Sequence, residues 1–237
     1  MDEKTWWIIV GGSKRLGLAL ARQLAEKYEL AVTSSNAPEE YDELSKLSTR
    51  ANVRRLHWDA NDPQLTSRMM TDINALRGEG ICLSGAVIVA GVFPFAPIGS
   101  WDVTNLQKTW LVNLTLPYLA AQSLAPCLKE GSCIQFILDT CVHRPLLNRL
   151  PYSSAKTGLT CLVHGLAQLL APNIRVVGHA IGPMLPDEEA NPAFLQNRTL
   201  LKRLGSPEEM CRAIEYAASS PFLTGEVLTL DGGWRWA

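Results

Sequence analysis

An apolar strand pattern near the N-terminus runs directly into a glycine-containing turn, and this arrangement constrains the fold most. WWIIV, from Trp6 to Val10, predicts a buried strand, GGSKRLG (Gly11 to Gly17) predicts a turn, and LALARQLA (Leu18 to Ala25) predicts a helix. Glycines let the backbone approach an anion, and the N-terminus of the following helix attracts the negative charge. The segment therefore predicts a phosphate-binding turn.

A second pattern lies in FILDTCVHRPLLNRLPYSSAK, which places Tyr152 four residues before Lys156 at the start of a helical pattern. Positions i and i+4 share a helix face, so the Lys156 ammonium can lie beneath the Tyr152 phenol and favour its ionised form. A free phenol has a pKa near ~10, too high for efficient proton transfer at neutral pH without such help. The alternative is a surface pair, and the upstream glycine turn favours the catalytic interpretation.

With both patterns in view, the chain resembles the short-chain dehydrogenase/reductase family over nearly its full length. VRRLHWDA (Val53 to Ala60) resembles the strand that ends in an acid near the adenine, and AVIVAG (Ala86 to Gly91) resembles the central strand. Asn113, in WLVNLTLPY, matches the helix Asn that helps to organise the proton relay. RLGSPEE (Arg203 to Glu209) and TGEVLTLDGG (Thr224 to Gly233) match the last helix and strand.

The alternation of strands and helices predicts an α/β protein, in which one doubly wound, Rossmann-type parallel sheet carries helices on both faces. We expect one domain over residues 1–237. The resemblance implies that the catalytic residues are Asp139, Tyr152, Lys156 and Asn113. The residues that it places around the cofactor are Gly11, Ser13, Lys14, Arg15, Leu16, Gly17, Ser34, Ser35, Asp59, Ala60, Ala90, Gly91, Tyr152, Lys156, Pro183, Met184 and Leu185.

Two departures from the usual family pattern point to a narrower group. Asp139 stands thirteen residues before the tyrosine, where the family usually has Ser, and Arg15 replaces the middle glycine of the turn. Both substitutions resemble pteridine reductases and dihydromonapterin reductases, and Phe93 falls where those enzymes place an aromatic ring against the pterin. This resemblance implies that Arg15, Phe93, Asp139 and Tyr152 contact the substrate. The alternatives are an Asp139 that caps a loop and a Phe93 that only packs.

The Ser-to-Asp difference has a chemical meaning. A Ser hydroxyl suits a carbonyl oxygen, whereas a pterin presents ring nitrogens that must gain a proton as hydride reaches the adjoining carbon, and Asp139 can help to pass that proton. We therefore predict an NADPH-dependent pterin reductase. The first alternative is an NADPH-dependent carbonyl or β-ketoacyl reductase. The second is a non-catalytic NADPH-binding protein, because Ile88, Val89 and His179 replace asparagines of the family.

The second strand indicates the preferred cofactor. LAVTSSN (Leu30 to Asn36) ends without an acid, and the first acid beyond it is Glu39. A site for NAD places an acid there to bind the ribose, whereas a site for NADP supplies cations or hydroxyls. Lys14 and Arg15 lie in the adjoining turn, and Ser34 and Ser35 at the strand end can hydrogen-bond a phosphate. NADPH is favoured, and a solvated basic turn is the alternative.

Three irregular segments, Phe93 to Trp101, His143 to Leu150 and Leu185 to Arg198, follow strands at their carboxyl ends, where ligands bind in such sheets. We expect them to build the substrate pocket. The last one contains the polar, proline-interrupted PDEEANP (Pro186 to Pro192). This stretch predicts either a mobile lid that excludes water or an ordinary surface loop.

Composition limits the partners and the compartment. A net charge of −1 without a basic run argues against nucleic acid, so we expect a small-molecule substrate. The N-terminus lacks a basic segment before an apolar core, and Ser84, Gly85, Gly91 and Pro94 interrupt the longest apolar region, so we expect a cytoplasmic protein without a membrane span. The six cysteines and four histidines show no metal-ligand spacing, which predicts free thiols and no metal site.

The helices that carry Asn113 and Tyr152 predict the assembly. Their apolar stretches, Leu111 to Ala125 and Leu159 to Leu170, exceed what one face of a sheet needs, and related enzymes pair through these helices as tetramers. We therefore expect a homotetramer. Light scattering in solution should give the mass of four chains, and a monomeric mass would contradict this prediction.

Overall fold

A single sheet of seven parallel strands organises the computed structural model, which describes residues 5–36, 44, 52–95, 97–185 and 191–237. The strand order is β3-β2-β1-β4-β5-β6-β7. The strands are β1 (Trp6–Val10), β2 (Glu29–Ser34), β3 (Val53–His57), β4 (Leu83–Ile88), β5 (Leu128–Asp139), β6 (Arg175–Ile181) and β7 (Val227–Leu230). The predicted doubly wound α/β fold is confirmed.

Helices cover both faces of this sheet. Within the described residues they are α1 (Arg15–Leu24), α2 (Leu65–Gly78), α3 (Val103–Trp110), α4 (Leu116–Leu124), α5 (Leu150–Leu170), α6 (Pro192–Asn197) and α7 (Pro207–Ser219). None of these helices is long and apolar enough to cross a membrane.

The two-sided burial explains why β1 is apolar along its whole length. Ile8 and Val10 pack in the cluster that includes α2, α4 and α5, whereas Trp7 and Ile9 pack in the opposite cluster with α1 and α7. Strands that are buried on both faces have continuous apolar sequences rather than an alternating pattern. WWIIV is therefore the sequence of a central strand.

The chain order reverses beside β1, and this reversal positions the site. β1 pairs with β2 on one side and with β4 on the other, all in parallel. At the end of β1, Val10 is in register with Thr33 and with Ile88, so the segments after these three strands leave the sheet at one edge. Ligands bind in such sheets at the carboxyl ends of strands where the order reverses.

The helix that contains Asn113 is not regular. Between α3 and α4, Leu111–Thr115 forms a π-helical turn, in which the Leu116 amide donates to the Leu111 carbonyl. Asn113 lies at the centre of this turn and is fully buried. Single π turns are common at functional sites because the extra residue redirects side chains. The sequence predicts a helix here but not the π turn.

His179, which replaces an Asn of the family pattern, is a buried group inside the sheet. Its Nε2 lies 2.7 Å from Gln135 Oε1, and the Gln135 amide donates to the Ile214 carbonyl at 3.1 Å. These bonds connect β6, β5 and α7. Burial lowers the pKa of His179 to about 4. The ring therefore stays neutral at physiological pH and has a structural role.

The His179 pKa predicts a pH dependence of stability. The folded-state pKa of about 4 lies below the ordinary histidine pKa of 6.5, so the unfolded chain binds more protons between these two pH values. The free energy of unfolding should therefore decrease as the pH falls from about 6.5 to about 4, and this group should contribute up to ~3 kcal/mol of the decrease. Urea unfolding at several pH values should show a shallower decline for His179→Asn. The control His164→Asn, at an exposed position, should keep the original slope. Equal slopes in all three proteins would refute the assignment.

Candidate active site

A cleft of about 600 Å³ opens at the carboxyl edge of the sheet, where the order reverses. The described structure brings most of the predicted site residues to this cleft. They are Gly11, Ser13, Lys14, Arg15, Leu16, Gly17, Ser34, Ser35, Asp59, Ala60, Ala90, Gly91, Phe93, Asn113, Asp139, Tyr152 and Lys156.

The glycine turn brings the backbone close enough to form a phosphate-binding site. Gly11 has a φ of +87°, and a Cβ there would lie 2.6 Å from the Ala90 Cα. A Cβ on Gly17 would lie 2.1 Å from the Gly11 carbonyl oxygen, so only glycine fits at the start of α1. The Gly11 amide also donates to the Thr33 hydroxyl at 3.1 Å. A narrow turn at a helix N-terminus suits the pyrophosphate of a dinucleotide.

Arg15 occupies a backbone conformation that usually selects glycine. Its φ is +50°, which costs an L-residue roughly 1–2 kcal/mol. The Arg15 guanidinium donates from Nη2 to the Leu185 carbonyl at 3.0 Å. The replacement of the middle glycine therefore connects the turn after β1 to the segment after β6.

Three residues expected around the cofactor do not line the large cleft. Pro183 and Met184 line a separate pocket of about 60 Å³, and Leu185 contributes the carbonyl that Arg15 binds. The reason is that the Gly182 amide donates to the Leu230 carbonyl, so the chain follows β7 away from the cleft after Ile181. Ile181 itself lines the cleft. The expected lid residues 186–190 lie outside the described residues.

One end of the cleft is polar and lies at the tips of β2 and β3. Lys14 Nζ donates to Asn36 Oδ1 at 3.2 Å, and the Asn36 amide donates to the Ser34 hydroxyl at 3.0 Å. Among the described residues Ser35 and Asn36 that directly follow β2, neither is an acid, and Glu39 lies outside them. Asp59 accepts from the Asn61 amide at 3.0 Å. Asn61 also lines the cleft, although the sequence analysis did not select it.

Tyr152, Asp139 and Lys156 meet at the other end. The Tyr152 hydroxyl donates to Asp139 Oδ2 at 3.1 Å, across the gap between α5 and the end of β5. Lys156 Nζ lies 5.8 Å from the centroid of the Tyr152 ring and donates to the Ile137 carbonyl at 3.0 Å. Tyr152 and Lys156 are both buried. The expected i, i+4 geometry is present.

The electrostatics of the phenol differ from the expectation. Burial and the charge of Asp139 raise the pKa of Tyr152 well above its ordinary value, whereas Arg149 lowers it. Burial also lowers the pKa of Lys156, and Asp139 opposes that shift. The expected shift towards an ionised phenol is therefore wrong for this chain. The phenol is held protonated, and its hydroxyl donates to Asp139.

Asn113 holds the loop after β4. Its Oδ1 accepts from the Val92 amide at 3.2 Å, and its Nδ2 donates to the Val92 carbonyl at 3.0 Å and to the Thr109 carbonyl at 2.9 Å. A Cβ on Gly91 would lie 2.9 Å from Asn113 Oδ1, so the glycine makes room for the amide. The role of Asn113 in a proton relay stays a prediction.

Cys141 helps to orient Asp139. The Cys141 backbone amide donates to Asp139 Oδ1 at 2.7 Å, which leaves Oδ2 to Tyr152. Burial and the nearby Asp139 charge raise the pKa of the Cys141 thiol, so it is not a nucleophile. Ser153 accepts from the Leu146 amide at 3.0 Å and fixes the loop that joins β5 to α5. No pattern in the sequence distinguishes these two supporting residues.

Phe93 lies at the mouth of the cleft, and its ring is 42% exposed. Its centroid is 4.7 Å from that of Tyr152 at an interplanar angle of 77°, so the rings meet edge to face. The Arg149 guanidinium lies 3.7 Å from the Phe93 centroid. Arg149 belongs to no sequence motif and is recognisable only by its position three residues before Tyr152.

The glycine turn and the helix with Tyr152 and Lys156 border the same cleft. Residues 11–235 match a family model described as enoyl-(acyl carrier protein) reductase, which is one of the short-chain family models. The chain therefore belongs to the short-chain dehydrogenase/reductase family, whose members are oxidoreductases that bind a nicotinamide cofactor.

Curated relatives of different activity are similar to the chain. Tropinone reductase-like 3 of Erythroxylum coca is 32% identical over 54% of this chain, and the match spans 53% of that protein, about half its length. L-rhamnose 1-dehydrogenase (NADP(+)) of Thermoplasma acidophilum is 26% identical over 95% of this chain and 94% of its own. Dihydromonapterin reductase of Escherichia coli is 26% identical over 95% of both chains.

A solved structure supports the fold. A short-chain dehydrogenase/reductase from Serratia marcescens superposes with a TM-score of 0.87 at 24% identity, and the match covers 98% of each chain. Its likeness concerns the sheet and its helices.

The close contact at Gly17 predicts a sharp effect of one methyl group. Gly17→Ala should lower the free energy of unfolding by ~1–3 kcal/mol and weaken dinucleotide binding, because the new Cβ overlaps the Gly11 carbonyl. Gly165→Ala is a matched helical control, since a Cβ there meets nothing within 4 Å, and it should stabilise the protein by ~0.5–1 kcal/mol. Urea unfolding and fluorescence titration check both, and indistinguishable variants would contradict the packing argument.

Proposed function

We propose that the protein is an NADPH-dependent reductase of a pterin-type substrate such as a dihydropterin or dihydromonapterin. The hydrogen bond between Tyr152 and Asp139, at 3.1 Å, carries this proposal. It joins a protonated phenol to a carboxylate at the position where the family usually has a Ser hydroxyl. Such a pair suits the protonation of a ring nitrogen better than the binding of a carbonyl oxygen.

Bound NADPH would supply the hydride that reduces a carbon of the pterin ring. Tyr152 and Asp139 share one proton between their oxygens and deliver it to the adjoining ring nitrogen. Lys156 stabilises the negative charge that the transfer leaves on the pair, because its ammonium lies on the same helix face as the phenol. Asn113 binds the amide and the carbonyl of Val92 and so fixes the loop that forms one wall of the cleft.

The relatives support two substrate classes. The dihydromonapterin reductase of Escherichia coli favours the pterin, and Asp139, Arg15 and Phe93 agree with that reading of the site. The L-rhamnose 1-dehydrogenase is equally identical and points away from a pterin, and the name of the tropinone reductase-like protein agrees with the second candidate, a carbonyl or β-ketoacyl reductase. Consumption of NADPH with a dihydropterin, but not with ketones or acyl thioesters, would distinguish the first candidate from the second.

We also propose that NADPH is preferred over NADH. Lys14 reaches the tip of β2 at Asn36, Ser34 and Ser35 supply hydroxyls there, and neither described residue directly after that strand is an acid. A 2′-phosphate would find cationic and hydroxyl donors, whereas the ribose of NADH would lack its usual carboxylate acceptor. The name of the NADP(+)-dependent relative agrees with this preference.

Finally, we propose that residues 1–237 form one domain and that the protein acts in the cytoplasm as a homotetramer. One continuous sheet supports the single domain. Exposed apolar side chains on the helices expected to pair, such as Trp110, Tyr118 and Leu169, support the assembly.

Cofactor preference provides a direct test. The ratio of kcat/KM with NADPH to that with NADH should exceed ten, because charge-assisted hydrogen bonds to a phosphate contribute on the order of 1.5–3 kcal/mol each. Lys14→Ala should reduce this ratio by about tenfold or more, since it removes one such cation. Lys27→Ala, a surface control that pairs with Glu215, should leave the ratio unchanged. Comparable kcat/KM values with both cofactors in the unaltered protein would refute the preference.

The proton donors are tested by two substitutions. Tyr152→Phe should bind NADPH but lose turnover, because the ring remains and the hydroxyl is gone. Asp139→Ser should lower kcat for pterin reduction by ~10²-fold or more, while any ketone activity survives or rises. Asp102→Ser is the control, since Asp102 only caps α3 and Ser can also cap. Unchanged pterin turnover in Asp139→Ser, with NADPH binding intact, would favour the carbonyl reductase.

A further inference from the structure

Arg149 holds the loop after β4 from the side of the catalytic helix. It is the residue directly before α5, and its side chain is half-buried. The Arg149 guanidinium lies 3.7 Å from the centroid of the Phe93 ring, and its Nη1 donates to the Phe93 carbonyl. It also lies 5.3 Å from the centroid of Phe95. One side chain therefore fixes both the ring and the backbone of Phe93.

The contact continues from Phe93 to the proton donor. The Phe93 and Tyr152 rings meet edge to face, with centroids 4.7 Å apart. Arg149 and Tyr152 are three residues apart at the start of α5, so their relative position is fixed by the helix. We call this set of contacts, from Arg149 through Phe93 to Tyr152, the arginine clamp.

The chemistry of the clamp requires arginine. A planar guanidinium can lie flat on an aromatic ring and still direct an N–H group to a carbonyl that lies in the plane of the guanidinium. A lysine ammonium keeps the charge, but it cannot cover the ring and bind the carbonyl in the same way. A methionine keeps the length and apolar contact, but it has neither charge nor donor.

We propose that Arg149 is a positioning residue that fixes the substrate wall of the cleft by holding Phe93 against Tyr152. The ring of Phe93 then stands at a fixed distance from the proton donor when a flat substrate enters. Loss of the clamp should weaken substrate binding more than it slows the chemical step, because the donor pair Tyr152 and Asp139 is left in place. This inference rests on the proposed function for the identity of the substrate, but the clamp itself does not depend on it.

The first experiment measures the loop directly. In hydrogen exchange, Arg149→Met should raise the amide exchange rate of the peptide that contains Phe93 by about threefold to thirtyfold. This range is the free energy of a cation–aromatic contact converted to a ratio of rates. Arg149→Lys should give a smaller increase. Arg144→Met is the matched control, because that arginine lies in the same connection and binds the Ala237 carbonyl instead. Unchanged exchange at Phe93 in Arg149→Met would overturn the proposal.

The second experiment separates binding from chemistry. With a dihydropterin, Arg149→Met should raise KM by the same threefold to thirtyfold, and the Kd for NADPH should change by less than about twofold. Arg149→Lys keeps the positive charge that lowers the Tyr152 pKa, so kcat of that variant should also change by less than about twofold. Arg149→Lys should recover part of the loss. An unchanged KM, or equal losses in kcat and NADPH affinity, would overturn the role in the substrate wall. A protein that reduces ketones and no pterin would refute the proposed substrate, while the exchange experiment would still decide on the clamp.

Discussion

The site depends on the close approach of the turn after β1 to the loop after β4. There is no room for a Cβ on Gly11 beside Ala90, or on Gly17 beside the Gly11 carbonyl. These contacts place the N-terminus of α1, which attracts anions, against the loop that Asn113 holds. The phosphate end and the proton-donating end of the cleft therefore share one rigid edge of the sheet.

At the other end of the cleft, the Tyr152 phenol and the Asp139 carboxylate are held close together. In water these two groups would not share a proton. Burial raises the pKa of the Tyr152 phenol, and the neighbouring Asp139 carboxylate raises it further. In an apolar surrounding, two negative charges this close are costly, so one proton stays between them. The buried Lys156 offsets part of that cost when the proton leaves.

The sequence predicts those parts of the site that follow from local patterns. The turn between Gly11 and Gly17 and the i, i+4 pair of Tyr152 and Lys156 lie within short segments, and the doubly wound parallel sheet follows from the alternation of strands and helices. The π turn at Asn113 could not be predicted, because it depends on packing against residues distant in sequence. The arginine clamp at Arg149 could not be predicted for the same reason. The path of Pro183 and Met184 could not be predicted either, because it is set by pairing with β7.

Two arginine side chains beside the cleft bind backbone carbonyls of other segments. Arg15 takes a positive φ at a cost of roughly 1–2 kcal/mol, and a glycine would avoid that strain. Its hydrogen bond to the Leu185 carbonyl is solvent-exposed and offsets only part of that cost. Arg149 binds the Phe93 carbonyl, in the loop after β4, in the same way. The two guanidinium groups therefore hold the segment after β6 and the loop after β4 through backbone carbonyls, so a change of either side chain releases its own segment without removing a contact within the sheet.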